Sequence, residues 1–371
     1  MRELRDILRA IEAAGAGERP LVLATLVRRE GSSYRRPGAR WLWSRGAPPV
    51  GILGGGCFED DVAEHAAEVC REGQPRLVRY DLSADEESLV WGLGVGCPGI
   101  VEVLIEGVPE RDGSGYLETL RDWMVHRRRG VVVTVGRPVE AAPVRLGQRV
   151  LVDESGVRYC DLPRGPASET VIELARALVA GSEGDLAEAQ QRAGAELFVE
   201  RFARSVALWI FGAGADVPPL VEAASALGWS VSVIDDRPLR LDPARFGRDV
   251  RLIHASRGSL EELPGVDDAT AALVSTHSFA RDAAWLAALL GIELPYLGLV
   301  SSRKRRESLL GALPAAARQR LHAPAGLDIG SETPQEIALA IVAEIRAVLA
   351  GRAGGLLRDS APRRARDPAT P

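Results

Sequence analysis

The sequence predicts an α/β protein in two parts: an N-terminal mixed α/β domain with glycine-rich loops, then a domain built on a doubly wound parallel sheet. Three observations predict it. Two glycine loops, GILGGGCFEDD (51–61) and WGLGVGCPG (91–99), punctuate the first half. The second half turns to strict alternation of apolar strands and helices, which implies parallel pairing with helices on both faces. At its head, FGAGADV (211–217) joins an apolar strand to a helix through a tight turn.

Composition narrows the classes. A chain of 371 residues, 46% hydrophobic and 26% charged, supports two or more cores. Its net charge of -5 gives no general affinity for nucleic acid or an anionic membrane. The start, MRELRDILRAIEAAG, lacks the apolar core of a signal peptide, and no apolar run is long enough to span a bilayer. Cys57, Cys70, Cys97 and Cys160 are too few and scattered for a disulfide scaffold, and none forms a CxxC pair. A reduced, cytoplasmic protein with no nucleic-acid or membrane partner is expected.

The elements follow in order. Leu4, Ile7, Leu8 and Ile11 recur at helical spacing, and Gly15 ends the pattern. LVLATLV (21–27) and WLWS read as strands around the loop GSSYRRPGAR. CFEDDVAEHAAEVCREG (57–73) has helical spacing through Val62, Ala66 and Val69. RLVRYDL and IVEVLIEGV are strands on either side of the second glycine loop. The middle holds two helices, LETLRDWMVHRRRG and SETVIELARALVAG, a hairpin from VVVTVG and RVLVDESGVRYC, and a last strand LFVERFA. The alternating half then supplies strands in SVALWIFGAG, SVSVIDDR, VRLIHAS, AALVSTHS and YLGLVSS, with helices VPPLVEAASALGW and FARDAAWLAALLG. Thr333, Pro334 and Glu336 make a capping box for a final helix to about Leu349, whereas the preceding GLDIG (326–330) is unexplained by capping. The domains are therefore drawn at 1–203 and 204–350, with 351–371, rich in Gly, Pro and Arg, as a disordered tail.

Gly212 and Gly214 hold the first two positions of a dinucleotide fingerprint, one for the tight turn and one for close approach of a phosphate. Asp235 ends the next strand at about the distance of a ribose-binding acid. Val217 stands where the third glycine belongs, and Asp216 puts negative charge where a phosphate would sit. Two readings stand side by side: a dinucleotide site, or a Rossmann-like domain that has kept its fold and lost or changed its ligand. Further strand ends carry His277, in THS, and Ser301, Ser302 and Arg303, whose hydroxyls and charge suit an anion. By itself His277 reads as a capping or packing residue, and Lys304 to Arg306 as a solvated helix face.

These motifs resemble the XdhC/CoxI family, accessory proteins of molybdenum hydroxylases such as xanthine dehydrogenase and aerobic carbon monoxide dehydrogenase. The resemblance rests on GSSYRRPGAR, GILGGGCFED, WGLGVGCPG, IFGAGAD, the histidine of THS, YLGLVSSRKR and HAPAGLDIGSETPQEIALAI, in one order across most of the chain. The chain departs from the family near Ser301, where a glycine is frequent, and at Ala215, where His or Pro is frequent.

The resemblance implies a binding protein without turnover of its own. It would hold molybdenum cofactor, as molybdopterin or its dinucleotide form, during sulfuration and pass it to an apo-hydroxylase. A cysteine desulfurase is an implied partner, and a homodimer stays open. Gly54, Gly55 and Gly56 would bring backbone N–H groups to the cofactor's anion. Cys57, at a loop-to-helix start that lowers a thiol pKa, would be the soft molybdenum ligand or sulfur carrier. Cys97 has a similar glycine setting. Without the resemblance each cysteine reads as an inert buried residue. Arg35, Arg36 and Arg40 flank the first loop as phosphate ligands or plain surface charge. Glu59 and Asp60 are assigned to the helix N-terminus. The competing reading is an NAD(P)-dependent oxidoreductase using Gly212, Gly214 and Asp235, which lacks an obvious catalytic pair.

Overall fold

The computed structural model describes residues 1–14, 20–31, 34–54, 56, 58–81, 99–108, 115–182, 184–311 and 318–359. They fall into two compact units, residues 3–204 and residues 205–359. Cys57, Cys97 and Gly55 lie outside the described residues.

The first unit opens with α1 (Arg2–Ala13), whose buried face is Leu4, Ile7, Leu8 and Ile11, as its spacing predicts. Five strands follow: β1 (Leu21–Gly31), β2 (Arg40–Ser44), β3 (Val50–Gly51), β4 (Arg76–Asp81) and β5 (Gly99–Gly107). They pair in the order β3-β2-β1-β5-β4, every described pairing antiparallel. Helix α2 (Glu59–Glu72) lays Val62, Ala66 and Val69 on this sheet. Strand β1 outruns its apolar stretch: Arg28 to Gly31 still pair with β5 beyond a bulge. Pairing rather than burial holds those polar residues in line, so an apolar pattern ends too early.

A second antiparallel sheet has the order β8-β7-β6-β9. Its strands are β6 (Gly130–Pro138), β7 (Arg149–Asp153), β8 (Gly156–Cys160) and β9 (Ala195–Phe202), after α3 (Tyr116–Val125). Helices α4 (Pro166–Val179) and α5 (Leu186–Ala193) pack on it. Helix α5 is not foreseen from its sequence, LAEAQQRA, because only Ala189 and Ala193 are buried. Its ends carry the local signal instead: Asp185 caps the Glu188 N–H, and Gly194 closes the helix in a left-handed conformation.

The two sheets are tied by paired charges. Arg40 on β2 meets Glu200 on β9 through bonds of 2.6 and 3.0 Å. Arg149 on β7 reaches Glu106 on β5 at 2.6 and 2.8 Å, its guanidinium 3.8 Å above the Tyr116 ring. Both arginines are buried. Burial disfavours the Arg149 charge, but the Glu106 carboxylate more than restores it, so its pKa ends above the usual value.

The second unit holds a parallel six-stranded sheet in the order β12-β11-β10-β13-β14-β15. The strands are β10 (Ala207–Phe211), β11 (Ser230–Asp235), β12 (Arg251–His254), β13 (Thr270–Val274), β14 (Tyr296–Leu299) and β15 (Leu321–His322). Helices α6 (Val217–Ala226) and α10 (Pro334–Leu349) cover one face, while α8 (Phe279–Leu289) and α9 (Arg303–Gly311) supply residues to the other. This is the strand order of the dinucleotide folds, with its switch point between β10 and β13. Alternation is less strict than the pattern suggests. Only a one-turn 3-10 helix (Pro238–Arg240) and the four-residue α7 (Pro243–Phe246) lie between β11 and β12, and turns alone connect β12 to β13. That connection, SRGSLEELPGVDD, carries glycine and proline where a helix would need apolar periodicity. Among the described residues, no helix is long and apolar enough to cross a membrane.

Candidate functional site

The glycine loop between β3 and α2 is shaped around a carboxylate supplied by the chain itself. Glu59 accepts the backbone N–H groups of Leu53 at 3.2 Å, Gly54 at 2.8 Å, Gly56 at 3.0 Å and Phe58 at 3.4 Å. A Cβ on Gly54 would overlap the Phe58 ring, and Gly56 has φ +97° with open space beside it. One glycine therefore serves packing and the other backbone conformation. Burial pushes the Glu59 carboxyl up, but the N–H groups from Gly54 and its neighbours outweigh burial and hold it low. The loop is an anion cradle, as its glycines suggest. Its present occupant is Glu59, which sequence reasoning assigns only to the helix dipole. Helix α2 begins at Glu59, two residues beyond Cys57.

A direct consequence concerns acid stability. A carboxyl held low in the fold adds stability that is in place above its unfolded pKa of about 4.3 and disappears as pH falls through the folded value. Glu59→Gln is expected to lose about 1–3 kcal/mol at neutral pH and to flatten the decline on acidification. Urea unfolding across that range reads both effects. A variant as stable as wild type, with the same acid slope, would remove Glu59 from the cradle.

The arginines near this loop differ. Arg35 pairs with Glu3, and Arg40 is buried against Glu200 and the Gly38 carbonyl. Arg36 is exposed and has no ion-pair partner among the described residues. No group of three or more His, Cys, Asp or Glu side chains able to hold a metal ion occurs among the described residues.

The second constellation lies at the switch point. Gly212 has φ +117°, and a Cβ there would run into the Ser275 carbonyl of the chain leaving β13. Its glycine is thus required by the approach of two backbones, whatever the ligand. Asp235, 2% exposed, accepts the Ala213 N–H at 2.8 Å. It also accepts the Arg237 N–H at 2.9 Å, Nε at 2.8 Å and Nη2 at 2.9 Å. Burial raises the Asp235 carboxyl, while Arg237 and the Ala213 N–H pull it to a net low value. Arg245 donates to the carbonyls of Ala213 at 3.2 Å and Gly214 at 2.7 Å.

His277 is neither a cap nor a packing residue. Its side chain is half-exposed, its φ is +57°, and Nε2 lies 2.9 Å from Oδ2 of Asp216. Asp216 also accepts the Ser275 hydroxyl at 3.1 Å. The hydrogen bond with Asp216 lifts His277 above its usual range. Asp216 is raised by burial but brought lower overall by His277. A left-handed φ is costly for a histidine and marks a position that the surrounding structure enforces. Sequence reasoning names His277 but misses its partner, because the two lie 61 positions apart and meet only when β13 pairs with β10. Ser302 Oγ accepts the Arg305 N–H at 3.3 Å, a capping contact, and Ser301 Oγ is buried without a partner among the described residues. Arg303 begins α9.

The GLDIG segment is structural. The Gly326 N–H donates to Glu344 of α10 at 2.8 Å, and the same carboxylate accepts the Tyr296 hydroxyl at 2.6 Å and contacts His322 Nδ1 at 3.2 Å. A side chain on Gly326 would press against Ala340.

Comparison with known proteins places this geometry. Residues 14–81 match the family described as XdhC and CoxI, and residues 208–345 match the XdhC Rossmann domain. A Bacillus subtilis (strain 168) protein, named there as a probable subunit of xanthine dehydrogenase, is 32% identical over 327 residues, 87% of this chain and 92% of that one. The uncharacterized protein YqeB of Escherichia coli (strain K12) is 35% identical over 156 residues, 40% of this chain and 28% of its own length. A crystal structure described as a xanthine dehydrogenase from Bacillus halodurans superposes with a TM-score of 0.73 at 30% identity, covering 96% of this chain and 98% of that one. Two matching domains in one order and a relative similar along nearly its whole length show that this chain belongs to the XdhC and CoxI family.

Proposed function

We propose that this protein binds molybdenum cofactor as cargo and serves a hydroxylase of the xanthine dehydrogenase kind, holding the cofactor for sulfuration and insertion. In this reading it is a binding protein that works in the cytoplasm with the apo-hydroxylase and a cysteine desulfurase. The observation that carries it is the match along the chain to a protein named for xanthine dehydrogenase. The N-terminal cradle suits such a cargo. Its four N–H groups already hold a carboxylate, so a phosphate group that displaced Glu59 would find the same donors. Arg36 is the exposed cation on the neighbouring loop. The cargo brings a molybdenum–dithiolene centre able to take a sulfido ligand. Cys57, in GGGCF, is the residue of suitable softness to meet it.

The test is Cys57→Ser, which keeps size and polarity but offers a harder, far less acidic ligand atom. A folded protein with little bound molybdenum per chain is expected, with a partner hydroxylase left under-sulfurated until it is chemically resulfurated. Cys70→Ser is the control, since Cys70 sits on α2 against the hydrophobic core. Wild-type cofactor content together with wild-type partner activity in Cys57→Ser would sink the role of this cysteine.

A further inference from the structure

The strand ends of the second unit lie where a dinucleotide fold receives its pyrophosphate: at the first glycine turn, the N-terminus of α6 and the crevice between β10 and β13. In this chain its own side chains occupy those contacts. The Asp216 carboxylate spans the crevice, bonded to Ser275 Oγ at 3.1 Å and His277 Nε2 at 2.9 Å. Its Oδ1 lies against the position that a Cβ on Gly214 would take, so the space left by the second glycine is filled by a carboxylate. Asp235, in the place of the ribose acid, already accepts four donors, from Ala213 and Arg237. A carboxylate has about four acceptor positions, which leaves none for a ribose hydroxyl. Arg245, the cation at this turn, directs three of its N–H groups to the carbonyls of Ala213, Gly214 and Arg240.

The electrostatics point the same way. A helix N-terminus attracts an anion weakly and is screened within a turn, whereas the Asp216 carboxylate already stands beside Gly214, so an incoming anion would have to displace an acidic group from that place. Burial pushes the Asp216 carboxyl up, and the hydrogen bond to His277 brings it below its ordinary value overall. The His277 ring leans over the turn, its Cδ2 3.6 Å from the Cβ position of Gly214, and Nδ1 has no hydrogen-bond partner among the described residues.

We propose that Asp216 makes the switch-point crevice exclude pyrophosphates. The unit has kept a dinucleotide fold and given the phosphate position to an Asp216–His277 pair, which faces a ligand bearing a hydrogen-bonding group without phosphate charge. Asp216 is then the residue that sets ligand class in this unit. The proposal stands apart from the cargo reading of the N-terminal cradle, and the two fail separately: one is read by molybdenum content, the other by nucleotide binding.

The experiment is isothermal titration calorimetry of the full chain with NADPH and, separately, with inorganic pyrophosphate. Wild type is expected to give no binding at millimolar ligand. Asp216→Ala is expected to gain affinity for both by at least about tenfold, the effect of removing one close like-charge contact. Asp216→Asn, which keeps the side chain's size and an acceptor for Ser275, is expected to gain less and guards against misfolding of the alanine variant, checked by circular dichroism melting. His277→Gln leaves the carboxylate in place and is expected to gain nothing. Micromolar binding of NADPH by wild type would overturn the proposal, as would folded Asp216 variants that gain no affinity for either probe.

Discussion

Arg149→Met is expected to destabilise the N-terminal unit by about 3–5 kcal/mol, because it leaves the Glu106 carboxylate facing the interior without its cation. Arg149 is 4% exposed and makes two bonds to Glu106, one to the Gly147 carbonyl at 2.9 Å and a stacking contact with Tyr116. The attraction itself is not the source of so large an effect. Burying both charges costs nearly as much as their attraction returns, so removing one partner exposes the cost of burying the other. Arg149→Met combined with Glu106→Gln should therefore recover most of the loss, and the two changes should be strongly non-additive. Urea unfolding of the two single variants and the double variant decides it. A single variant within about 1 kcal/mol of wild type would show that water reaches this seam and solvates the carboxylate. The seam joins the sheet that leads into the glycine loop to the second antiparallel sheet of the same unit.

Gly212→Ala is expected to be the most damaging single-methyl addition in the second unit, at about 2–5 kcal/mol. Its φ of +117° lies in the left-handed range, and the new Cβ would overlap the backbone oxygen of Ser275, which has no rotamer by which to retreat. The strain falls on the β10–β13 contact and so on the Asp216, Ser275 and His277 group. Gly214→Ala is the informative contrast. Its Cβ meets the Asp216 side chain, which can swing away, so the stability cost should be smaller and the Asp216–His277 bond should be the feature lost. Thermal melts of both variants, with the His277 ring titration followed by NMR, separate the cases. Equal costs, or an unmoved His277 titration in Gly214→Ala, would contradict this account.

Much of the architecture is legible without coordinates, for a reason visible in particular elements. Helix α1 repeats Leu4, Ile7, Leu8 and Ile11 on one face, and α10 begins at a Thr333–Glu336 capping box, confirmed by reciprocal bonds. Such signals are local and survive in the linear order. Where the local signal is weak, the reading falters. Helix α5 buries only two alanines, strand β15 has two residues, and β1 continues past its apolar stretch because β5 lies beside it.

The candidate sites divide in the same way. The residue types that matter stand in the sequence: glycines where backbone must come close, a cysteine beside them, and acids and a histidine at strand ends. By itself the sequence determined the fold class and the family, and named the candidate residues, because turn chemistry, periodicity and motif spacing are properties of neighbours along the chain. Only the tertiary structure decided which partner each charge takes. Glu59 could serve the helix dipole or fill the glycine cradle, and the loop's return onto α2 selects the cradle. Asp235 could meet a ribose or an arginine, and the turn after β11 brings Arg237 onto it. Arg40 meets Glu200 across a separation of 160 positions, and Asp216 meets His277 across 61. A charge pairs with whatever opposite charge or donor lies within about 4 Å. That distance is set by packing between elements far apart in sequence, which no local pattern encodes.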